Sequence, residues 1–251
     1  MTETSGAADL DAAEGIEFFW DPICPFAWIT SRWVAEVSRQ SGLPVRWRFI
    51  SLRLLNRDKD YSADFPPDYE QGHTAGLRVL RVAAAVRQAH GDEPLGRFLE
   101  AFGANWWDLD PAVADARGGR SYLSTPDHLR SLLADAGLDD RFLAALDDPS
   151  WDDELAEETE LALSRTGRDV GTPIITFQRA NEPSVSFFGP VISRVPDPDE
   201  VLPLWNAVTT LAAFPGFSEL KRSLRDVPQL RVTGTAGSST TQDWSGGRVQ
   251  P

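Results

Sequence analysis

The sequence predicts a mixed α/β protein in which a β-α-β opening and a β-β-α close flank a long all-helical stretch. Three observations predict it: short aromatic or alternating runs at 16–20 and 45–50, helical periodicity with caps between about 66 and 167, and a return to strand-like runs at 174–177 and 185–188. With 251 residues and 41% hydrophobic content, the chain can bury a large core without disulfide staples.

Residues 1–14 are small, polar and acidic and read as a disordered lead-in. Ile16-Glu17-Phe18-Phe19-Trp20 is short and aromatic, a buried strand ending at the turn Asp21-Pro22. From Phe26 to Ser41, Phe26, Ile29, Trp33, Val34 and Val37 recur at helical spacing, and Gly42 supplies a stop. Val45-Arg46-Trp47-Arg48-Phe49-Ile50 alternates apolar and basic residues, the period of a half-buried strand. A Pro- and Asp-rich connection reaching Tyr69 leads to a helix with Leu77, Leu80, Ala84 and Ala85 on one face. Thr125-Pro126 and Gly137 bracket another helix, and Ser150 is placed to cap one ending near Arg165, which Gly167 closes.

Ile174-Ile175-Thr176-Phe177 and Val185-Ser186-Phe187-Phe188, with a polar turn through Asn181, Glu182 and Pro183, predict an antiparallel hairpin. Helices are expected from about Pro198 to Ala213 and from Phe217 to Leu224, followed by a Gly-, Ser- and Thr-rich tail read as disordered. The expected organisation is a lead-in (1–14), one α/β domain built from 15–65 and 168–228, a helical insertion (66–167) and a disordered tail (229–251).

The 38 acidic and 24 basic residues give a net charge of −14, which repels phosphate backbones and anionic membranes, so nucleic acid and membrane surfaces are not expected partners. No apolar run approaches the roughly 18 residues of a membrane span. A single cysteine excludes internal disulfides, and the polar, acidic start lacks a secretory pattern, so the cytoplasm is the expected location. His73, His90 and His128 are scattered without ligand spacing, and no metal is expected. Gly118-Gly119 reads as a turn signal, and the acidic run from Asp147 to Glu154 as a solvated helix face.

Cys24, in Trp20-Asp21-Pro22-Ile23-Cys24-Pro25-Phe26-Ala27-Trp28, stands where the first strand ends and the first helix begins. Unpaired N–H groups and partial positive charge at a helix start favour thiolate, and such sites can lower a cysteine pKa from ~8.5 into the range of about 3.5–7.5. Pro25 suits the first helical turn and leaves the amides of Phe26 and Ala27 free to face the sulfur. The competing reading is a small buried hydrophobe. Trp20, Phe26 and Trp28 are candidate walls for an aromatic substrate, although aromatics beside a buried strand more often belong to the core. Asp21 beside a thiolate would oppose its ionisation and reads as a turn residue.

Val170-Gly171-Thr172-Pro173-Ile174-Ile175 sets a proline at the start of a strand. A strand, a Cys-Pro-x-x helix, a helical insertion and Gly-Thr-Pro opening a hairpin together resemble the DsbA branch of thioredoxin-like proteins. The resemblance implies a thioredoxin-like fold with Pro173 as a cis-proline beside the reactive sulfur and Thr172 as the residue contacting substrate. It extends through Phe19 to Pro25, Trp28 to Trp33, Gln88 to Gly91, Phe187 to Val191 and Glu219 to Arg222, segments similar to the actinobacterial mycothiol-dependent reductases known for reducing nitro compounds. Pro67-Asp68-Tyr69-Glu70 resembles a site-lining tyrosine segment of that subfamily. The resemblance implies mycothiol, or another low-molecular-weight thiol, as cosubstrate alongside a small-molecule substrate; a monomer or a homodimer is expected.

One departure bears on chemistry. That subfamily carries Cys-Pro-Trp-Cys, whereas Phe26 and Ala27 complete the motif here. Cys24 cannot close an internal disulfide, so an outside thiol must resolve any mixed disulfide it forms. The expected function is a monothiol oxidoreductase reducing a small electrophile or mixed disulfide. The alternatives are an isomerase or transferase similar to kappa-class glutathione transferases and hydroxychromene carboxylate isomerases, which use serine where Cys24 stands, and a thioredoxin-like binding module without catalysis.

Overall fold

A computed structural model describes residues 13–179, 182–238 and 240–243. Its centre is a four-stranded sheet of order β2-β1-β3-β4, formed by β1 (Ala13–Trp20), β2 (Val45–Phe49), β3 (Ile174–Arg179) and β4 (Glu182–Phe188). β2 runs parallel to β1, with Phe18 opposite Trp47, while β3 is antiparallel to both β1 and β4, with Phe18 opposite Ile175. This is the thioredoxin-like arrangement: the parallel pair requires a crossover, which α1 (Pro25–Ser41) supplies, and β3-β4 is a hairpin.

Both sheet faces are covered, which explains why β1 reads as a continuous apolar run. On one face Phe18 and Trp20 pack with Trp33, Val34 and Val37 of α1, and Trp33 meets Trp205 of α9 (Val201–Ala213) at 5.8 Å between ring centroids. On the other, Phe19, Ile50 and Ile174 pack against Ala162 and Leu163 of α8 (Asp152–Thr166).

The helices between β2 and β3 begin earlier than expected, with the short α2 (Leu52–Leu55) and α3 (Tyr61–Asp64) lying within the Pro- and Asp-rich connection. They continue as α4 (Tyr69–His90), α5 (Asp92–Ala104), α6 (Pro111–Ala116), a 3-10 helix over Gly119–Ser124, and α7 (Pro126–Asp135), whose N-cap is Thr125. Short 3-10 helices at Asp140–Ala145 and Pro149–Trp151 lead into α8. Ser150 does not cap α8. Its N–H instead donates to Asp148 at 2.9 Å, and α8 carries Asp152, Asp153 and Glu154 in its first turn, where negative charge complements the helix dipole.

That acidic run is only partly a solvated face: Asp147 and Asp153 are exposed, but three of its carboxylates are paired. Asp147 pairs with Arg78 (2.7 Å), Asp152 with Arg81 (2.7 Å) and Glu154 with Arg87 (2.5 Å), so an arginine stripe on α4 receives it. Deeper in, Glu158 accepts from Arg48 (2.7 Å), from Arg87 (3.0 Å) and from the backbone N–H of Phe49 (2.8 Å). Glu17 accepts from Arg48 (3.0 Å) and Arg165 (2.6 Å). Burial acts to raise the Glu17 pKa, but the two guanidiniums outweigh it and hold the carboxyl below its usual range. This network fastens α4 and α8 to β1 and β2.

The expected lead-in lies outside the described residues except for Ala13 and Glu14, which already belong to β1. Asn181 of the expected turn is also outside them, while Glu182 and Pro183 are part of β4. No helix forms over 217–224. Leu220 is 81% and Leu224 56% exposed, so a helix here would have little apolar face to bury, and Leu224–Asp226 forms β5 instead.

The expected disordered tail, 229–251, is structured over its described part. Leu230 is buried, the Gln229 N–H donates to Ser193 O (2.7 Å), the Val232 N–H donates to Trp107 O (3.1 Å), and β6 (Thr241–Asp243) pairs with β5. Composition misled here because one buried leucine and threonine hydroxyls bonded to backbone suffice to anchor a short strap, as with Thr235 to Pro228 O at 2.6 Å.

Glu158→Ala leaves Arg48, Arg87 and the Phe49 amide without their shared acceptor. A loss of about 3–5 kcal/mol is expected, read from chemical denaturation, with a smaller loss for Asp147→Ala at the exposed rim.

Candidate active site

Cys24 is the N-cap of α1, with extended backbone at φ −82° and ψ 115°. Pro25 in the first turn presets the helix, and the Ala27 N–H donates to Cys24 Sγ at 3.4 Å. The thiol in turn donates to the carbonyl oxygen of Thr172 at 3.4 Å. The Thr172–Pro173 bond is cis, and the Thr172 hydroxyl donates to Phe19 O (3.1 Å), fixing the loop against the end of β1. The sulfur, the helix start and the Thr-Pro loop are thus assembled at one point.

A second cis bond, Gly189–Pro190, supports the same loop. The Gly189 N–H donates to Pro173 O (2.9 Å), and Pro190 O accepts from the Thr30 hydroxyl of α1 (3.1 Å). The sequence reading gave Pro190 no role. A Gly-Pro pair directly after a strand was the available signal.

The electrostatics differ from the expectation of a depressed cysteine pKa. Cys24 is buried at 8% exposure, and desolvation pushes its thiol up to about 12. The Ala27 and Phe26 amides pull the other way, and the Asp21 charge adds to the rise. The helix-start effect is present but is outweighed by loss of water around the sulfur.

Asp21 is more than a turn residue. Its carboxylate accepts from the N–H groups of Ile23 (2.8 Å) and Leu52 (2.7 Å), and its carbonyl accepts from the Cys24 N–H (3.1 Å). α4 covers it closely, since a methyl group on Gly76 would stand 2.9 Å from Oδ1. Burial raises this carboxyl to about 7 against the lowering effect of the two N–H donors.

Of the expected aromatic wall, Trp20 and Trp28 are buried and enclose, with Phe102 and Trp107, a cavity of only about 10 Å³, room for about one water. Trp28 is core because α5 presses on it: a methyl group on Gly103 would fall 2.1 Å from its ring. Pro25 and Phe26 remain half-buried beside the sulfur and form its accessible rim.

Tyr69 stands apart in a cleft of about 420 Å³ bounded by the start of α4, the stretch after α5, the Gly118-Gly119 turn and the strap at Val232-Thr233. The Arg120 guanidinium lies 5.1 Å from its ring centroid. The cleft adjoins the cysteine loop through Trp107, whose indole N–H donates to Pro22 O at 3.2 Å. Trp107 and Arg120 went unnoticed in the sequence, where Gly118-Gly119 registered only as a turn. Among the described residues no three His, Cys, Asp or Glu side chains converge as a metal would require, and no helix is long and apolar enough to cross a membrane.

Comparison with known proteins adds a family. The model of the Rv2466c-like family, described as mycothiol-dependent nitroreductase Rv2466c, matches residues 23–222. The uncharacterized protein Rv2286c of Mycobacterium tuberculosis is 32% identical over 213 residues, covering 82% of this chain and 81% of that protein. Among solved structures, the cytosolic disulfide reductase DsbM from Pseudomonas aeruginosa is 18% identical and covers 79% of this chain and 100% of its own, with a TM-score of 0.49. A 2-hydroxychromene-2-carboxylate isomerase is 17% identical, covering 78% of this chain and 95% of its own, with a TM-score of 0.40.

Two measurements probe the site's protonation. Alkylation of Cys24 by iodoacetamide is expected to be slow at pH 7 and to climb without a plateau past pH 10; a plateau below pH 8 contradicts a buried, protonated thiol. For Asp21 the folded pKa lies above the unfolded one, about 7 against 3.8, so the unfolded state releases its proton first as pH rises. Stability is therefore lost between about pH 4 and 7, and the fall of the urea midpoint across that window should be shallower in Asp21→Asn.

Proposed function

This chain belongs to the Rv2466c-like family of thiol-dependent oxidoreductases, and from that premise we propose that it is a monothiol enzyme exchanging Cys24 with mycothiol to reduce a mixed disulfide. The observation that carries the reading is the seat of the sulfur, capping α1 and lying 3.4 Å from the carbonyl of the Thr172–Pro173 loop.

In the proposed cycle, Cys24 Sγ attacks the mycothiol sulfur of a mixed disulfide formed between mycothiol and the substrate. The old S–S bond breaks, a Cys24–mycothiol disulfide forms, and the substrate thiol leaves carrying the proton that Cys24 gave up. A second mycothiol attacks the mycothiol sulfur of that intermediate, returning Cys24 as a thiol and releasing the symmetrical mycothiol disulfide. In net terms the incoming mycothiol is oxidised from thiol to disulfide as the substrate sulfur is reduced to a thiol, and the mycothiol of the mixed disulfide leaves at the oxidation level it brought. With Ala27 where a second cysteine would sit, the resolving thiol has to come from outside.

The Ala27 N–H is oriented to stabilise negative charge as it develops on sulfur, and the half-buried Pro25-Phe26 rim gives a partner access. Thr172 and Pro173 orient the partner beside the sulfur. The cytoplasm, where such thiols stay reduced, is the proposed setting.

One observation favours a second reading. With its thiol pushed up to about 12, Cys24 is protonated at neutral pH and is a hydrogen-bond donor. That state suits an isomerase or transferase in which Cys24–SH donates to the ionised sulfur of a bound thiol cofactor and never becomes covalently linked to it.

Intact-mass analysis separates the two. Incubation with mycothiol disulfide is expected to add one mycothiol to the wild type and none to Cys24→Ser, and excess mycothiol should remove it. In turnover assays Cys24→Ser should then be inactive; a variant keeping most of its activity, with no adduct on the wild type, selects the second reading.

A further inference from the structure

The 420 Å³ cleft beside the cysteine loop is lined by several polar side chains, of which Asp68, Gln71 and Asp115 are exposed and Arg120 is half-buried. Asp68, Gln71, Asp115 and Arg120 all line it, and the side chain of none of them makes a hydrogen bond or ion pair with protein among the described residues. Asp68 is notable for its backbone as well. It is the one non-glycine among the described residues with positive φ, at 69°, and although it occupies the N-cap of α4, its carboxylate does not cap that helix. A carboxylate at that position ordinarily satisfies its own helix; this one is left to the cleft. The size is that of a small-molecule site.

The cleft is close to the reactive loop. Arg120 and Ile23 pack on the same spot of α4, where a methyl group on Gly72 would stand 3.0 Å from Arg120 Cδ and 3.6 Å from Ile23 Cγ2. Ile23 immediately precedes Cys24, and Trp107 at the cleft floor holds the carbonyl of Pro22.

The chemistry of the lining selects a ligand class. Two carboxylates accept, one guanidinium donates, and the Gln71 amide and Thr233 hydroxyl do both. The set carries a net charge of −1 on a chain of net charge −14, which disfavours a ligand body bearing carboxylates or phosphates. Flat apolar ligands are disfavoured as well, because Trp106 and Trp107 are buried and the Tyr69 ring already has Phe65 stacked near it and the Arg120 guanidinium 5.1 Å from its centroid. Hydroxyl groups, which donate and accept at once, match what remains.

We propose that this cleft binds the uncharged, hydroxyl-rich body of the thiol cosubstrate, with Arg120, Asp68 and Asp115 as its hydrogen-bonding partners and the Val232-Thr233 strap as its outer wall. This rests on the reading that Cys24 works with mycothiol, whose thiol arm is attached to a glucosamine–inositol pseudodisaccharide. It goes beyond that reading by assigning the sugar to a site and by making the site a filter against charged peptide thiols such as glutathione.

The test uses the full chain and the N-acetylglucosaminyl-inositol pseudodisaccharide, which has no thiol, followed by titration calorimetry. Saturable binding is expected, equal in the wild type and Cys24→Ser, and weaker by about tenfold or more in both Arg120→Gln and Asp115→Ala, as loss of a charge-assisted hydrogen bond requires. Glutathione at the same concentration should not compete. Absence of saturable binding, unchanged affinity in both variants, or effective competition by glutathione each overturn the proposal. Cys24 acquiring mycothiol while the pseudodisaccharide fails to bind would sink the cleft assignment alone; binding in the cleft with no adduct on Cys24 would sink only the exchange chemistry.

Discussion

The structure turns on one contact, a cysteine sulfur suspended between the amide of Ala27 and the carbonyl of Thr172. The first comes from the start of α1, the second from a loop far along the chain. Bringing them together requires the parallel β1-β2 pair, the α1 crossover and the antiparallel insertion of β3 beside β1. The sheet can accordingly be understood as a device for setting two backbone groups on either side of one side chain. Its energetic cost is also visible at that point: enclosing the sulfur well enough to place it removes the water that would have stabilised its ionised form.

The helical insertion does more than cover the sheet. Its α4 arginines meet the acidic run that leads into α8, and the Glu17-Arg48-Glu158-Arg87 network draws both helices onto β1 and β2. From the opposite side α5 closes on Trp28, and Gly76 allows α4 to approach the Asp21 carboxylate. The loop that carries Cys24 is therefore held by the insertion as well as by the sheet. The cleft at Tyr69 exists because α4, the Gly118-Gly119 turn and the C-terminal strap meet there without filling the space between them.

Much of this was legible in the sequence because it rests on local signals. Strand runs, the cap at Thr125, the stops at Gly42 and Gly167, and the Cys-Pro helix start are written in neighbouring residues. What was not legible depends on partners distant in the chain. Cys24 looked like a low-pKa thiol because the helix start is visible locally, whereas its burial comes from elements packed around it. The acidic run around Asp152 looked solvated because its arginines belong to a helix that lies far upstream. Trp20 and Trp28 were candidates for a wall and are buried, since only the fold shows α5 pressing on Trp28 and Trp20 packed against Phe49. In the opposite direction, the periodic leucines at 220 and 224 suggested a helix that nothing in the fold accommodates.

The strap at 229–235 has a consequence for how the chain comes together. Trp107 gives its indole N–H to Pro22 in the cysteine loop and its carbonyl to the amide of Val232, so one residue links two stretches far apart in the chain. During synthesis, with the N-terminal part folding first, the sheet and helices can assemble while the outer wall of the cleft is still untranslated. One side of the cleft waits on this late stretch: until Val232 has emerged, the nascent protein carries its cysteine but lacks one side of the cavity next to it.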